Sequence, residues 1–272
     1  MKKFNFLLTI LVIPTFPTVS LAGPWKISVN TNLEFAKKAY LVSVISPGFE
    51  KVLDSADLEK GTCTFSRSND DIQLHVFRIA IDQGTFKPTF FAANGDQLMI
   101  EFTSAEAAKL SGNKAAAYYA MYQEIQQRET SDQHAVMREI RQIGIDSAQL
   151  KVLNTIAKNK LAASANEKIK LVQSIDDPVL SAYLAYEEVF ASKTENIELY
   201  QKYHDALGSR AQQNLWAKYV QDVVQNFEAY QLLRQSKLIK PDQLKAKYES
   251  LPEAQKKSGF GQDLARELAA MK

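Results

Sequence analysis

Tyr118, Tyr119, Tyr122, Tyr183, Tyr186, Tyr200 and Tyr203 are the densest set of chemically capable side chains in this sequence. A phenol ring buries a large apolar body, and its hydroxyl needs a hydrogen-bond partner. Such a set serves either as core or as the lining of a binding groove. Helical geometry divides the first three. Tyr118 and Tyr122 share a face, and Tyr119 points about 100° away from Tyr118. Tyr119, flanked by Ala116, Ala120 and Gln123, is expected in the core. Tyr118 and Tyr122 are expected to border a cleft, and Tyr183 and Tyr186 are candidates for the same ligand- or partner-binding surface.

Other constellations are incomplete. Asp70-Asp71, Asp176-Asp177 and Glu187-Glu188 are paired carboxylates, which a glycosidase needs facing each other across a cleft. Turn and helix-cap positions account for the first two pairs, and a solvated helix face for the third. Ser111-Gly112-Asn113-Lys114 has the spacing in which a lysine activates a serine nucleophile. Its Lys-Thr-Gly companion is missing, the nearest match being Lys193-Thr194-Glu195, so Ser111 and Asn113 read as helix caps. His75 falls in a strand pattern. His134 and His204 fall on helices with no second ligand at i+4, and no metal site is expected. Cys63 is the only cysteine, which leaves no dithiol, and its context reads as an inert strand. No nucleophile elbow, P-loop or dinucleotide fingerprint occurs, so no cofactor is expected.

The elements that must position these residues change period along the chain. From Trp25 to about Phe102 the pattern is short apolar runs and alternation: Ala39–Ile45, Thr62–Phe65, Leu74–Ile81, Thr89–Ala92 and Leu98–Phe102. Ser46-Pro47-Gly48 marks a turn, and Asn94-Gly95 between two apolar runs marks a hairpin. From about Asn113 the period becomes helical. Asp177-Pro178 supplies a capping carboxylate followed by proline at the first helical position. Leu150, Leu153, Ile156 and Leu161 form the apolar stripe of an earlier helix, for which Asp146 is the candidate cap. These patterns predict an α+β protein: an N-terminal antiparallel β-sandwich or small barrel over residues 23–103, then an all-α helical array over residues 104–272. The array has an internal echo at an offset of about 44–45 residues. Leu199, Tyr203 and Leu207, followed by Trp216, Val220 and Val224, are matched by Leu244, Tyr248 and Leu251, followed by Phe260, Leu264 and Leu268.

Composition narrows the partners. The chain has 272 residues with 33 Lys+Arg against 31 Asp+Glu, a balance that gives no reason to expect nucleic acid. Lys2 and Lys3 precede an apolar run from Phe4 to Val12 that is followed by Pro14 and Pro17. Ser20-Leu21-Ala22 then supplies small residues at a signal-peptidase site. Residues 1–22 therefore read as a signal peptide, and the mature chain is expected in the periplasm or secreted. The run is too short to span a membrane, and no later segment is apolar enough to do so.

Several segments resemble a known family in the order in which that family carries them. Val52-Leu53-Asp54-Ser55-Ala56, continuing to Gly61-Thr62-Cys63-Thr64-Phe65, is similar to a segment of the DUF4369 (AhpC/TSA-associated N-terminal) domain of secreted thioredoxin-like oxidoreductases. Leu110–Lys114 with Tyr118-Tyr119 resembles that family's entry into a helical region. Ile175–Tyr183 resembles a helix start within it, and Tyr248–Pro252 with Lys257–Gly261 resembles its last helix pair. The resemblance implies this two-part fold and an exported location. It does not carry over redox activity, because no Cys-x-x-Cys is present. Asn30-Thr31-Asn32 also replaces the family's glycines near the first strand, and the chain reaches Lys272 where the thioredoxin domain would begin.

Two functions follow as expectations. The first is a non-catalytic binding or accessory module that docks a peptide or another exported protein, such as a thioredoxin-like oxidoreductase acting in trans. The alternative is a hydrolase or transferase using carboxylates or Ser111 in an interdomain cleft.

Overall fold

A computed structural model describes residues 23–69, 73–82, 84, 86–143, 147–191 and 196–271. Residues 1–22, which read as a signal peptide in the sequence, Asp70-Asp71, Asp146 and Lys193-Thr194-Glu195 lie outside the described residues. The chain is α+β, with two four-stranded sheets followed by helices. The strands are β1 (Trp25–Thr31), β2 (Lys38–Ser46), β3 (Phe49–Asp57), β4 (Thr62–Arg67), β5 (His75–Ile81), β6 (Thr89–Ala92), β7 (Gln97–Ser104) and β8 (Ala107–Ser111). One sheet has the order β4-β1-β7-β8 and the other β3-β2-β5-β6.

The sheets face each other across a core built from alternating residues: Trp25, Ile27 and Val29 from β1, Phe77 and Ile79 from β5, Ile100 and Phe102 from β7. The rings of Trp25 and Phe77 lie 4.8 Å apart, and those of Phe77 and Phe90 5.3 Å apart. The β6 run Thr89-Phe90-Phe91-Ala92 is buried at every position. Alternation sends Phe90 into the sandwich and Phe91 to the opposite face, where it meets helices.

Three features depart from the expectation. Asn94-Gly95 does not close a hairpin: β6 and β7 belong to different sheets, and the turn carries the chain across the sandwich. The sandwich is not wholly antiparallel, because β1 and β7 pair in parallel. Beyond residue 103, β8 pairs with β7, and Ser111 lies opposite Met99 in that ladder. Ser111 is therefore a strand residue and not a cap. Gly112 follows at φ +124°, where a Cβ would stand 2.1 Å from the Gln97 carbonyl oxygen.

The helices are α1 (Lys114–Ile143), α2 (Ser147–Ser174), α3 (Pro178–Ala191), α4 (Ile197–Asp205), α5 (Ser209–Gln212), α6 (Leu215–Gln225), α7 (Phe227–Gln235), α8 (Pro241–Ser250), α9 (Glu253–Lys257) and α10 (Gly259–Ala270). Asn113 starts α1. Its Oδ1 accepts from the Ala116 amide at 2.8 Å, and its Nδ2 donates to the Phe91 carbonyl at 2.9 Å and to Asp96 at 2.7 Å. One side chain thus caps the helix and ties it to β6 and to the turn after it. Asp177 caps α3, accepting from the amides of Val179 and Leu180, both at 2.9 Å.

The echo in the sequence is an echo in packing. α3 lies against α5 and α6 as α7 lies against α9 and α10, and α4 meets α6 as α8 meets α10. Tyr186 and Trp216 rings are 4.9 Å apart in the first set, and Tyr230 and Phe260 rings 5.2 Å apart in the second. Two four-helix units therefore share one apolar core.

Candidate functional site at the sheet and helix junction

The outer face of the β3-β2-β5-β6 sheet presents Val44, Val76 and Phe91 to the helices. Phe91 meets the edge of Tyr119 at 5.5 Å and of Tyr183 at 5.3 Å. Arg78, on β5, reaches out of this face. Its guanidinium pairs with Glu50 of β3, donates to the Tyr183 hydroxyl at 3.2 Å and lies 3.7 Å from Glu187. The Tyr183 hydroxyl in turn donates to Glu187 at 2.6 Å. Lys87 joins from the sheet side, 3.1 Å from Glu50.

A second network lies deeper in the array. Tyr122 donates to Glu188 at 2.6 Å and accepts from Gln126 at 2.8 Å. Tyr203 donates to the other Glu188 oxygen at 3.2 Å. The Lys168 ammonium sits 2.9 Å from Glu188 and 2.6 Å from Glu129, with its side chain only 5 % exposed. A cation this buried persists because two carboxylates surround it.

The electrostatics follow from burial. Desolvation pushes the Glu187 carboxyl above its ordinary value, only partly opposed by the Tyr183 hydroxyl and Arg78. Burial, then the nearby Glu188 charge, raises the Tyr122 and Tyr203 hydroxyls. Tyr186 is pushed up to about 12, mainly by burial. Glu50 goes the other way: burial works against its charge, but Lys87 and Arg78 outweigh it and hold the carboxyl low. These phenols stay protonated at neutral pH and act as donors, not bases.

Three of the four tyrosines expected at a binding surface, Tyr122, Tyr183 and Tyr186, are buried instead. Tyr119 is buried at 7 % exposure, and Tyr118 lies half-buried at the edge of the core with the Lys114 ammonium 5.5 Å from its ring. Tyr122 does not border a cleft; its exposure is 0 %. On the helical wheel Tyr122 falls between Tyr118 and Tyr119. The sheet covers α1 on one side and α3 on another, and the wide covered sector takes in Tyr122. Tyr183 and Tyr186 are also core, packed between α3 and α6 around Trp216.

The Glu187-Glu188 pair is likewise not a solvated face. Its side chains are 20 % and 13 % exposed and fully engaged with partners. Both carboxylates sit in the otherwise apolar helix Pro178–Ala191, a setting that signals buried and paired charge. Arg78, Lys168 and Glu129 had no comparable signal in the sequence. Lys114 stands 3.6 Å from Asp176, both side chains largely exposed, with its ammonium 5.5 Å from the Tyr118 ring. Cys63 sits on β4 with its thiol pushed up to about 11 by burial, which leaves little thiolate at neutral pH. Among the described residues no three His, Cys, Asp or Glu side chains gather as a metal site, and no helix is long and apolar enough to cross a membrane.

Beyond the junction, α1 and α2 continue together as an arm. At 30 residues α1 is about 45 Å long. It touches β6 and β8 near its start, and α2 touches α3 and α4. Between residues 127 and 142 only Val136 is buried, and between 148 and 163 only Leu153. Met137, Leu150, Val152 and Ile156 are exposed there. Half of the predicted α2 stripe thus faces solvent. Searches of family models, curated proteins and solved structures find no match to this chain.

Proposed function

We propose that this chain is an exported, non-catalytic binding or accessory module that docks a peptide or another exported protein. The observation that supports this reading is the arm. Two long helices leave the body, contact mainly each other over their far halves, and hold large apolar side chains in water. Exposed apolar surface on an element that adds little to the core is the mark of an interaction surface.

The junction supports the same reading from the other direction. The acids and bases that meet there are closed on one another as Arg78–Glu187–Tyr183 and Lys168–Glu188–Tyr122, with none set aside for a substrate. For the hydrolase alternative, Ser111 ends β8 opposite Met99 and Lys114 stands 3.6 Å from Asp176. The DUF4369-like segments agree with an accessory role beside a thioredoxin-like oxidoreductase in trans, with export directed by residues 1–22.

The test is in-cell photo-crosslinking from Val152 and from Tyr118. A recurrent protein adduct on the arm is expected. No adduct at either position, together with hydrolysis of a model ester or glycoside by the purified mature protein, would contradict the reading.

A further inference from the structure

We propose that the arm docks an acidic amphipathic helix of an exported partner, seated in the groove between α1 and α2 on the flank that carries Arg141, Lys151 and Lys158. This rests on the binding-module reading above and assigns its surface and the chemistry of its ligand.

The two flanks of the arm differ in charge. One is closed by ion pairs between the helices: Lys160 with Asp132 at 2.7 Å and Arg128 with Glu167 at 2.5 Å. At about 100° per residue, Lys151 and Lys158 lie about 180° and about 200° around α2 from Lys160. Arg141 lies about 180° and Met137 about 140° around α1 from Asp132. These four side chains therefore project from the opposite flank. Arg141, Lys151 and Lys158 have no ion-pair partner among the described residues.

No carboxylate shares that flank. The acids of the arm's described residues are Glu129, Asp132, Glu139 and, paired with Arg128, Glu167. Glu129 faces Lys168 in the seam, Asp132 faces Lys160, and Glu139, two turns on, shares the side of Asp132. A chain with near-balanced total charge thus keeps its arm acids off this flank and leaves three cations on it.

The shape selects the partner. This flank carries Met137 and Leu150, exposed, and Ile140, Ala157 and Leu161, half-buried. The seam is thin, since Ala157 and Ser164 leave a small void beside Gln133 and Leu161. A groove between two antiparallel helices receives the ridge of a third, and the rim cations then meet acids flanking that ridge. A bilayer instead requires a convex helix face with a broad apolar sector, and here the apolar strip is narrow.

The test uses the mature protein and a labelled synthetic peptide of about three heptads, with Leu at the core positions and Glu beside them. Its controls are the same peptide with Lys for Glu and phosphatidylglycerol vesicles. Fluorescence anisotropy is expected to show binding of the Glu peptide. The combined variant R141E/K151E/K158E should weaken it by at least about tenfold and shift preference to the Lys peptide. Lys160→Glu, on the other flank, should change it by less than about twofold, with circular dichroism confirming that both variants keep their helices. Failure of the Glu peptide to bind, binding that ignores the combined variant, or binding of vesicles in place of peptide would overturn the proposal. A photo-crosslinking residue at Leu150 should give an adduct that the combined variant abolishes. Adducts at Val152 alone would overturn the assigned flank and leave the binding-module reading standing.

Discussion

The two halves of α1 do opposite things with similar material. Near its start, Ala115, Tyr119, Tyr122 and Ile125 are buried against the sheet, α2 and α3. Past Gln126 the helix keeps its hydrogen bonds and its ion pairs to α2, but almost nothing else covers it. A continuous helix is thus anchored at one end by tertiary burial and carried outward at the other by a two-helix seam. Helical stability in proteins comes mostly from packing of the apolar face, so the two halves must differ in what a substitution costs and in how readily they open.

The largest contrast is in truncation. Tyr183→Ala removes a fully buried ring from contact with Phe91, Tyr186 and Trp216 and should cost about 3–5 kcal/mol in urea denaturation; Tyr119→Ala should fall in the same range. Met137→Ala and Ile156→Ala on the arm should cost less than about 0.5 kcal/mol. Equal losses at both ends would erase the distinction.

Next comes charge. Lys168→Ala leaves Glu129 and Glu188 facing each other without a cation, at an expected cost of about 3 kcal/mol. Lys160→Ala breaks a pair near the surface and should cost under about 1 kcal/mol. A double-mutant cycle between Lys168 and Glu188 measures the coupling directly.

A smaller effect separates the junction from the arm by pH. The Glu187 carboxyl is raised in the folded protein, so the native state binds the extra proton. The stability it contributes is present below the ordinary carboxylate pKa and is lost as pH rises through the raised value. Glu187→Gln should remove that fall in a series of urea midpoints from about pH 4 to about pH 8. Glu50 has the opposite sign: its lowered carboxyl gives stability that is lost as pH falls, and that loss should persist in the variant. The smallest effect belongs to Tyr118→Ala at the rim, expected below about 1 kcal/mol by the same denaturation assay.

What could be read in the sequence was local. Thr89-Phe90-Phe91-Ala92 announced a strand, Asp177-Pro178 a helix start, and the spacing of Trp216, Val220 and Val224 against Phe260, Leu264 and Leu268 a repeated unit. What could not be read depended on distant partners. Asn94-Gly95 looks the same whether it joins paired strands or crosses between sheets. Tyr122 was placed by one helical stripe, but its ring is covered by distant elements and its hydroxyl is paired with Glu188, 66 residues away. Glu187 and Glu188 looked like solvent-facing charges because Arg78 and Lys168, which neutralise them, come from a sheet and from another helix.

Hydrogen exchange followed by mass spectrometry, with and without the Glu peptide, tests the division of α1 most directly. Without peptide, amides from residue 115 to 126 should open only with global unfolding, and those from 130 to 142 and from 148 to 160 through cheaper local events. With peptide, protection should rise on the arm alone. Uniform protection along α1, or a rise centred on Tyr119 and Tyr183, would contradict the account.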